Sequence, residues 1–261
     1  MRLGAYQFPI TGSIPENLNH IRRGIQQAAL QGVELLIFPE CALTGYPPRH
    51  LTSPDEVDWE ALSSAHDKLR GLAATHRIHL VVGTMTREQN AVFNTALLSS
   101  PDGQRHAYHK RALWGWDAEH FTPGSEPGVW EIGGLRVGVR ICYEVRFPEY
   151  FRELYRARTD LNLLLFCDVS DVDDPARYDL IRAHVLTRAV ENVCPLLTVN
   201  ATTPHQTAPT GFYSASGDAW VEQPRGPEGL LIADWSPEPM TFGQQGRKAF
   251  SDQLTGEQPE A

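Results

Sequence analysis

Three residues able to do covalent chemistry stand at the carboxyl ends of strand-like segments. Glu40 ends "ELLIFPE", Lys110 follows "RHAYH", and Cys142 ends "LRVGVRIC". Singly, Glu40 is what a polar turn would hold and Lys110 what a solvated surface would hold. Together they spell a reaction. A thiol needs a base to become a good nucleophile, and a carboxylate raised in pKa by a dry pocket supplies one, which is the part open to Glu40. When a thiolate attacks an amide carbon, negative charge builds on oxygen. An ammonium group and a backbone N–H held beforehand stabilise that charge, and Lys110 with the main-chain amide of Tyr143 fit those positions. A second carboxylate near the lysine would keep it charged. "KRALWGWDAEHFTPG" places Glu119 a short loop away, with Asp117 as the competing choice.

Cys142 has one rival. Leu135, Val137, Val139 and Ile141 alternate onto one face of a strand, so Cys142 turns the other way at its exit, ahead of a helix opened by Pro148. Cys167 also ends a strand-like run, but "LNLLLFC" is uniformly apolar, and a buried structural thiol is the expectation there. The aromatic residues Tyr46, Trp114, Trp116 and Phe166 flank the reactive positions and are candidates for the wall of an apolar substrate pocket. Acidic "DVSDVDDPAR" (168–177) offers negative charge to a cationic substrate, but Asp173 and Asp174 before Pro175 are what a helix N-terminus prefers.

Strand-like and helix-like segments alternate to about residue 235 without a Gly/Ser linker, which predicts one domain over 1–261 of α/β class. "RLGAYQF" is a strand. Ser13 and Glu16 form a candidate capping box for a helix whose Leu18, Ile21, Ile25 and Ala28 share a face, stopping at Gly32. "ELLIFPE" is a short buried strand. A helix carrying Trp59, Leu62, Leu69, Leu72 and Ala73 leads to "HLVVGTMT" and "NTALLSS", antiparallel neighbours on either side of Asn90. After a tryptophan-bearing loop region comes a hairpin turning at Gly133-Gly134, then the Pro148 helix with Phe151, Leu154 and Tyr155. "LNLLLFCD", a long helix from "DDPARY" and "CPLLTVNA" repeat the strand–helix–strand plan. "GFYSASGDAW" and "GLLIADWS" finish the sheets, and from about residue 243 the polar segment reads as an extended tail.

Composition narrows the classes. In 261 residues with 41% apolar content and a formal charge of −9, no basic cluster exceeds a pair, which argues against nucleic acid or an anionic membrane as partner. No apolar run reaches bilayer-spanning or signal-peptide length, so the expected location is cytoplasmic. Cys41, Cys142, Cys167 and Cys194 lack CxxC spacing, and disulfides are not expected. His76 with His79, and His106 with His109, stand three apart without further ligands, so they read as surface histidines and no metal is expected.

The ordered trio "LLIFPECALTGY", "YHKRALWG" and "GVRICYEVRFPE", continued by "RAVENVCPLLTVN", resembles the nitrilase or carbon-nitrogen hydrolase superfamily over nearly the whole chain. The resemblance implies a four-layer αββα sandwich, no cofactor, and a homodimer. It implies Glu40 as base, Lys110 as oxyanion stabiliser, Cys142 as nucleophile and Glu119 as supporting carboxylate, the last because "EHFTPG" resembles the stretch that usually follows that residue. Nitrile-cleaving members typically have Trp-Glu after the cysteine, whereas "CYEVRFPE" resembles the amidase and carbamoylase branches. The expected function is therefore hydrolysis of a small linear amide or carbamoyl compound through a cysteine thioester, releasing ammonia. A nitrile-cleaving or glutaminase-type enzyme is the alternative within this class, and a non-catalytic binding module that kept the fold is the alternative outside it. A papain-like hydrolase lacks its cysteine context here.

Overall fold

Residues 1–256 are described by a computed structural model, in which two six-stranded sheets lie face to face with helices on both outer sides. The first sheet contains β1 (Arg2–Gln7), β2 (Leu35–Ile37), β3 (His79–Glu88), β4 (Ala91–Ser99) and β5 (Arg105–His109) in that spatial order. The second contains β6 (Val129–Ile132), β7 (Leu135–Ile141), β8 (Leu161–Leu165), β10 (Leu196–Val199), β12 (Gly211–Tyr213) and β13 (Ala219–Glu222); β9 (Val169–Ser170) pairs with β11 (His205–Gln206) beside it. β14 (Gly229–Asp234) returns to the edge of the first sheet, antiparallel to β1.

Alternation of side chains across each strand sets the layers. Leu3, Ala5, Leu35, Ile37, Val81 and Leu98 from the first sheet meet Val137, Val139, Ile141, Leu163, Leu197 and Phe212 from the second in one buried cluster. The opposite face of the first sheet packs Phe8, Leu36, Phe38, Leu80 and Val82 on α1 (Ile14–Leu30) and α2 (Trp59–His76). The outer face of the second packs Leu164 and Leu196 on α4 (Pro148–Arg156) and α5 (Pro175–Glu191), through Phe151, Leu154, Ile181 and Val185. The fold is thus the four-layer αββα sandwich expected. Between β5 and β6 lies a short helix, α3 (Trp116–His120), where the sequence suggested only loop.

Other local expectations shift. Ser13 caps α1 by accepting from the Glu16 N–H, but the Glu16 carboxylate turns to the Thr11 hydroxyl at 3.0 Å, so the reciprocal half of the capping box is not made. Asp174 caps α5 through the Arg177 N–H at 3.0 Å, whereas Asp173 pairs with Arg225. His79 and His109 are half-buried strand residues, bonded to Ser100 and Thr95, rather than surface histidines. Among the described residues no group of three metal-capable side chains comes together, and no helix is long and apolar enough to cross a membrane.

The expected extended tail is largely a helix, α6 (Phe242–Thr255). Thr241 accepts from the Gln244 N–H and Gln244 reaches back to the Thr241 N–H, a complete capping box. Asp252 then ties the helix to Tyr155 and Arg158 on the α4 side. Residues 257–261 of the expected tail lie outside the described residues.

Candidate active site

Each reactive residue leaves its sheet at the same end. Glu40 follows β2, and its segment passes so close to β3 that a Cβ on Gly83 would stand 2.0 Å from the Pro39 carbonyl oxygen. Only glycine permits that approach, and the Gly83 carbonyl accepts the Leu43 N–H there. Lys110 follows β5, with its main-chain N–H on the Asn94 carbonyl. Cys142 follows β7 with φ of 44°, a left-handed conformation costly for a side-chain-bearing residue, so the chain turns abruptly at the thiol.

The side chains converge. Lys110 Nζ donates to Glu40 Oε1 and to Asp117 Oδ2, both at 2.8 Å, and all three residues are buried. Asn94 Nδ2 donates to the same Glu40 oxygen at 2.7 Å, and the Cys167 N–H donates to Oε2 at 3.0 Å. Tyr46 donates its hydroxyl to the other Asp117 oxygen at 2.8 Å and sets its ring 5.8 Å from the ammonium. Lys110, Asp117, Tyr46, Trp114, Tyr143 and Cys142 then border one cavity of about 830 Å³.

Burial drives the electrostatics. It raises the Glu40 carboxyl above the ordinary carboxylate range, helped by Asp117 and opposed by Lys110 and Asn94. Burial alone would lower Lys110, but Glu40 and Asp117 together outweigh it and hold the ammonium well above its usual value. Cys142 is pushed well up, first by burial and then by Glu40, with Lys110 and the Cys167 main-chain N–H pulling back. Burial therefore favours the thiol form of Cys142, near a carboxyl group whose raised pKa makes it a better proton acceptor.

Some expected placements change. Glu119 is exposed, and the carboxylate that meets Lys110 belongs to Asp117. Two residues along a helix is a rotation of about 200°, so α3 turns Asp117 inward and Glu119 to solvent. Trp116 does not border the cavity: it stacks on His120 at 3.8 Å and packs on Phe121. Phe166 is fully buried in the core under α4 and α5, and only its carbonyl touches the site, accepting the Glu40 N–H. Of the four aromatic candidates, Tyr46 and Trp114 border the cavity.

Arg49, Arg146, Asp168, Asp171 and Arg177 also line the cavity. The segment 168–177, read as offering charge to a substrate, thus reaches it, whereas Arg49 and Arg146 were not foreseen. Arg177 grips Asp168 with two hydrogen bonds of 2.9 and 3.0 Å, and Arg49 pairs with Asp171. Among the described residues no carboxylate pairs with the Arg146 guanidinium, although its carbonyl accepts from Arg188.

Residues 2–241 match the family model described as carbon-nitrogen hydrolase. The chain belongs to the carbon-nitrogen hydrolase family. It is an enzyme of the amidase type, cleaving a non-peptide carbon–nitrogen bond, with relatives and structural neighbours of the same kind. The hydrolase is 30% identical over 205 residues to a 2-oxoglutaramate amidase of Bacillus subtilis, covering 77% of this chain and 76% of that one. It is 27% identical over 203 residues to an omega-amidase of Xenopus tropicalis, covering 73% and 71%. Its fold matches an amidase of Nesterenkonia sp. AN1 with a TM-score of 0.80 at 26% identity, covering 98% of this chain and 99% of that chain. In a mutant of that amidase acrylamide has added to the active-site cysteine.

Proposed function

We propose that the hydrolase releases ammonia from the terminal amide of a small carboxylic acid, with Cys142 as nucleophile. The observation that carries this is the buried Glu40–Lys110–Asp117 array, whose Lys110 and Asp117 border the same cavity as Cys142. Glu40 takes the Sγ proton as sulfur attacks the amide carbon, and the carbonyl oxygen becomes an anion facing Lys110 Nζ and the Tyr143 N–H. Glu40 returns the proton to the nitrogen, the C–N bond breaks, and ammonia leaves a thioester on Cys142. Water, losing a proton to Glu40, attacks the thioester carbon; the C–S bond breaks, the acid departs and the thiol is restored.

Asp117, not Glu119, is the supporting carboxylate in this reading. Asp117→Asn removes one of the two charges holding Lys110, and kcat should fall roughly 10²-fold, while Glu119→Gln stays near wild type. The opposite ranking in steady-state ammonia assays would restore Glu119 to the role.

Arg146, which borders the cavity and has no carboxylate partner among the described residues, supports an acidic substrate, in keeping with the 2-oxoglutaramate named for the Bacillus relative. A panel of amides scored for ammonia release tests this. 2-Oxoglutaramate should be hydrolysed well, and faster than a nitrile of the same length. Arg146→Ala should raise KM about 10-fold or more for the charged amide, the worth of one charge-assisted hydrogen bond, and leave a neutral amide of equal length little changed. Equal effects on both amides would remove Arg146 as the carboxylate partner.

The same reading takes the protein as a cytoplasmic homodimer. Its four free cysteines suit a reducing compartment, and the exposed Phe242, Phe250 and Leu254 on α6 offer apolar surface to a second copy.

A further inference from the structure

Glu144 takes no proton in the reaction above, yet it is a carboxylate with no solvent exposure, two residues after the nucleophile. Among the described residues no cation pairs with it, and its partners are four hydrogen-bond donors. Oε2 accepts the Ile141 N–H at 2.7 Å. Oε1 accepts the Tyr108 hydroxyl at 2.7 Å, the Arg111 N–H at 2.8 Å and the Ala112 N–H at 3.4 Å. Ile141 precedes Cys142, and Arg111 follows Lys110. One side chain therefore grips the main chain beside the thiol with one oxygen and the main chain beside the ammonium with the other.

We propose that Glu144 is a positioning residue that sets the distance and angle between the Cys142 sulfur and the Lys110 ammonium. This rests on Cys142 and Lys110 acting as read above. The two groups come from β7 in one sheet and β5 in the other, at the edge where the sheets meet the cavity. Packing between sheets is apolar and does not fix a polar register at their ends, whereas hydrogen bonds to a buried charge are short and directional. The Ile141 bond also closes the turn that holds Cys142 at a φ of 44°. Only an ionised carboxylate offers acceptors on both sides. A glutamine must turn its NH₂ toward one set of N–H donors and release either the thiol side or the ammonium side.

The test is Glu144→Gln, assayed with Glu144→Asp and Cys142→Ala after folding is checked by circular dichroism. In Glu144→Gln kcat should fall about 10²-fold, the cost of a small misplacement of reacting groups, while KM stays within about threefold. The limbs of its pH–rate profile should not move, because Glu144 carries no proton in the cycle. Alkylation of Cys142 by iodoacetamide, which needs no oxyanion site, should slow far less than hydrolysis does. Glu144→Asp keeps both oxygens one methylene further back and should recover part of the rate. If Glu144→Gln does not fold, Glu144→Asp decides: a kcat about 10-fold down at unchanged KM supports the role, and a wild-type kcat overturns it. A folded Glu144→Gln that keeps more than about a third of kcat, or whose pH limbs shift, overturns it as well. An active Cys142→Ala would instead sink the nucleophile assignment, so the two failures are told apart.

Discussion

Cys142→Ala should abolish ammonia release, by roughly 10⁴-fold or more, while Cys167→Ala should keep most of it. Both thiols border the cavity, both are raised well above their usual value, and burial is the first cause in each. They differ in what they offer the reaction. Glu40 raises and Lys110 lowers both thiols, so a carboxyl and an ammonium are near each, but of the two only Cys142 sits on a left-handed turn, directly before the Tyr143 N–H. Cys167 contributes its main-chain N–H, which holds Glu40 Oε2 at 3.0 Å, and alanine retains that group. Ammonia assays on the two folded variants check this. Equal loss in both would contradict the assignment.

Lys110→Ala is the second large effect. If its ammonium faces the oxyanion, kcat falls roughly 10²- to 10³-fold, about 3 to 4 kcal/mol. That interaction is made mainly in the transition state, so kcat and kcat/KM fall together while KM changes little. Lys68→Ala, exposed on α2, is the control and stays near wild type. The substitution also strands two buried carboxylates, so stability should drop by about 3 to 5 kcal/mol at neutral pH. The sign with pH follows from Glu40. Lys110 opposes the rise that burial imposes on its carboxyl, so removing the cation raises that pKa further. A carboxyl raised in the folded state is best tolerated when protonated. The melting temperature of Lys110→Ala should therefore approach that of wild type as pH falls and diverge as pH rises. A folded variant keeping more than about a third of kcat removes the oxyanion role.

The strands that carry Glu40 and Cys142 were legible because each ends an apolar run, and the period of two in Val137, Val139 and Ile141 told which way Cys142 must turn, whereas Lys110 follows the largely polar strand "RHAYH" and was legible mainly through the ordered trio of motifs. The choice between Asp117 and Glu119 was not legible. α3 has five residues and too few apolar positions to show which side faces inward, so its rotation depends on the tertiary contacts of Trp116 and Phe121. Phe166 misled for a related reason: it directly follows β8, a strand buried on both faces, where an apolar residue carries no signal of side.

α6 was hidden differently. Its capping box, Thr241 with Gln244, was readable, but the helix docks through Tyr155, Arg158 and Asp252 and leaves Phe242, Phe250 and Leu254 exposed. A search for a buried apolar stripe passes over such a helix. The arginines bordering the cavity and the Glu144 tether join segments distant in sequence, Arg49 with Arg146 and Arg177, and Tyr108 with Glu144. No local pattern brings those together before the sheets do.

The most direct measurement is peptide mapping by mass spectrometry after incubation with fluoroacetamide, whose acetamide moiety adds covalently at the active-site cysteine in two mutants of the Nesterenkonia amidase. Trypsin separates the thiols, leaving Cys142 in the peptide 141–146 and Cys167 in 159–177. One adduct should appear on 141–146, with Cys41, Cys167 and Cys194 unmodified, and its formation should slow in Glu40→Gln. An adduct on 159–177 with 141–146 unmodified would contradict Cys142 as the nucleophile.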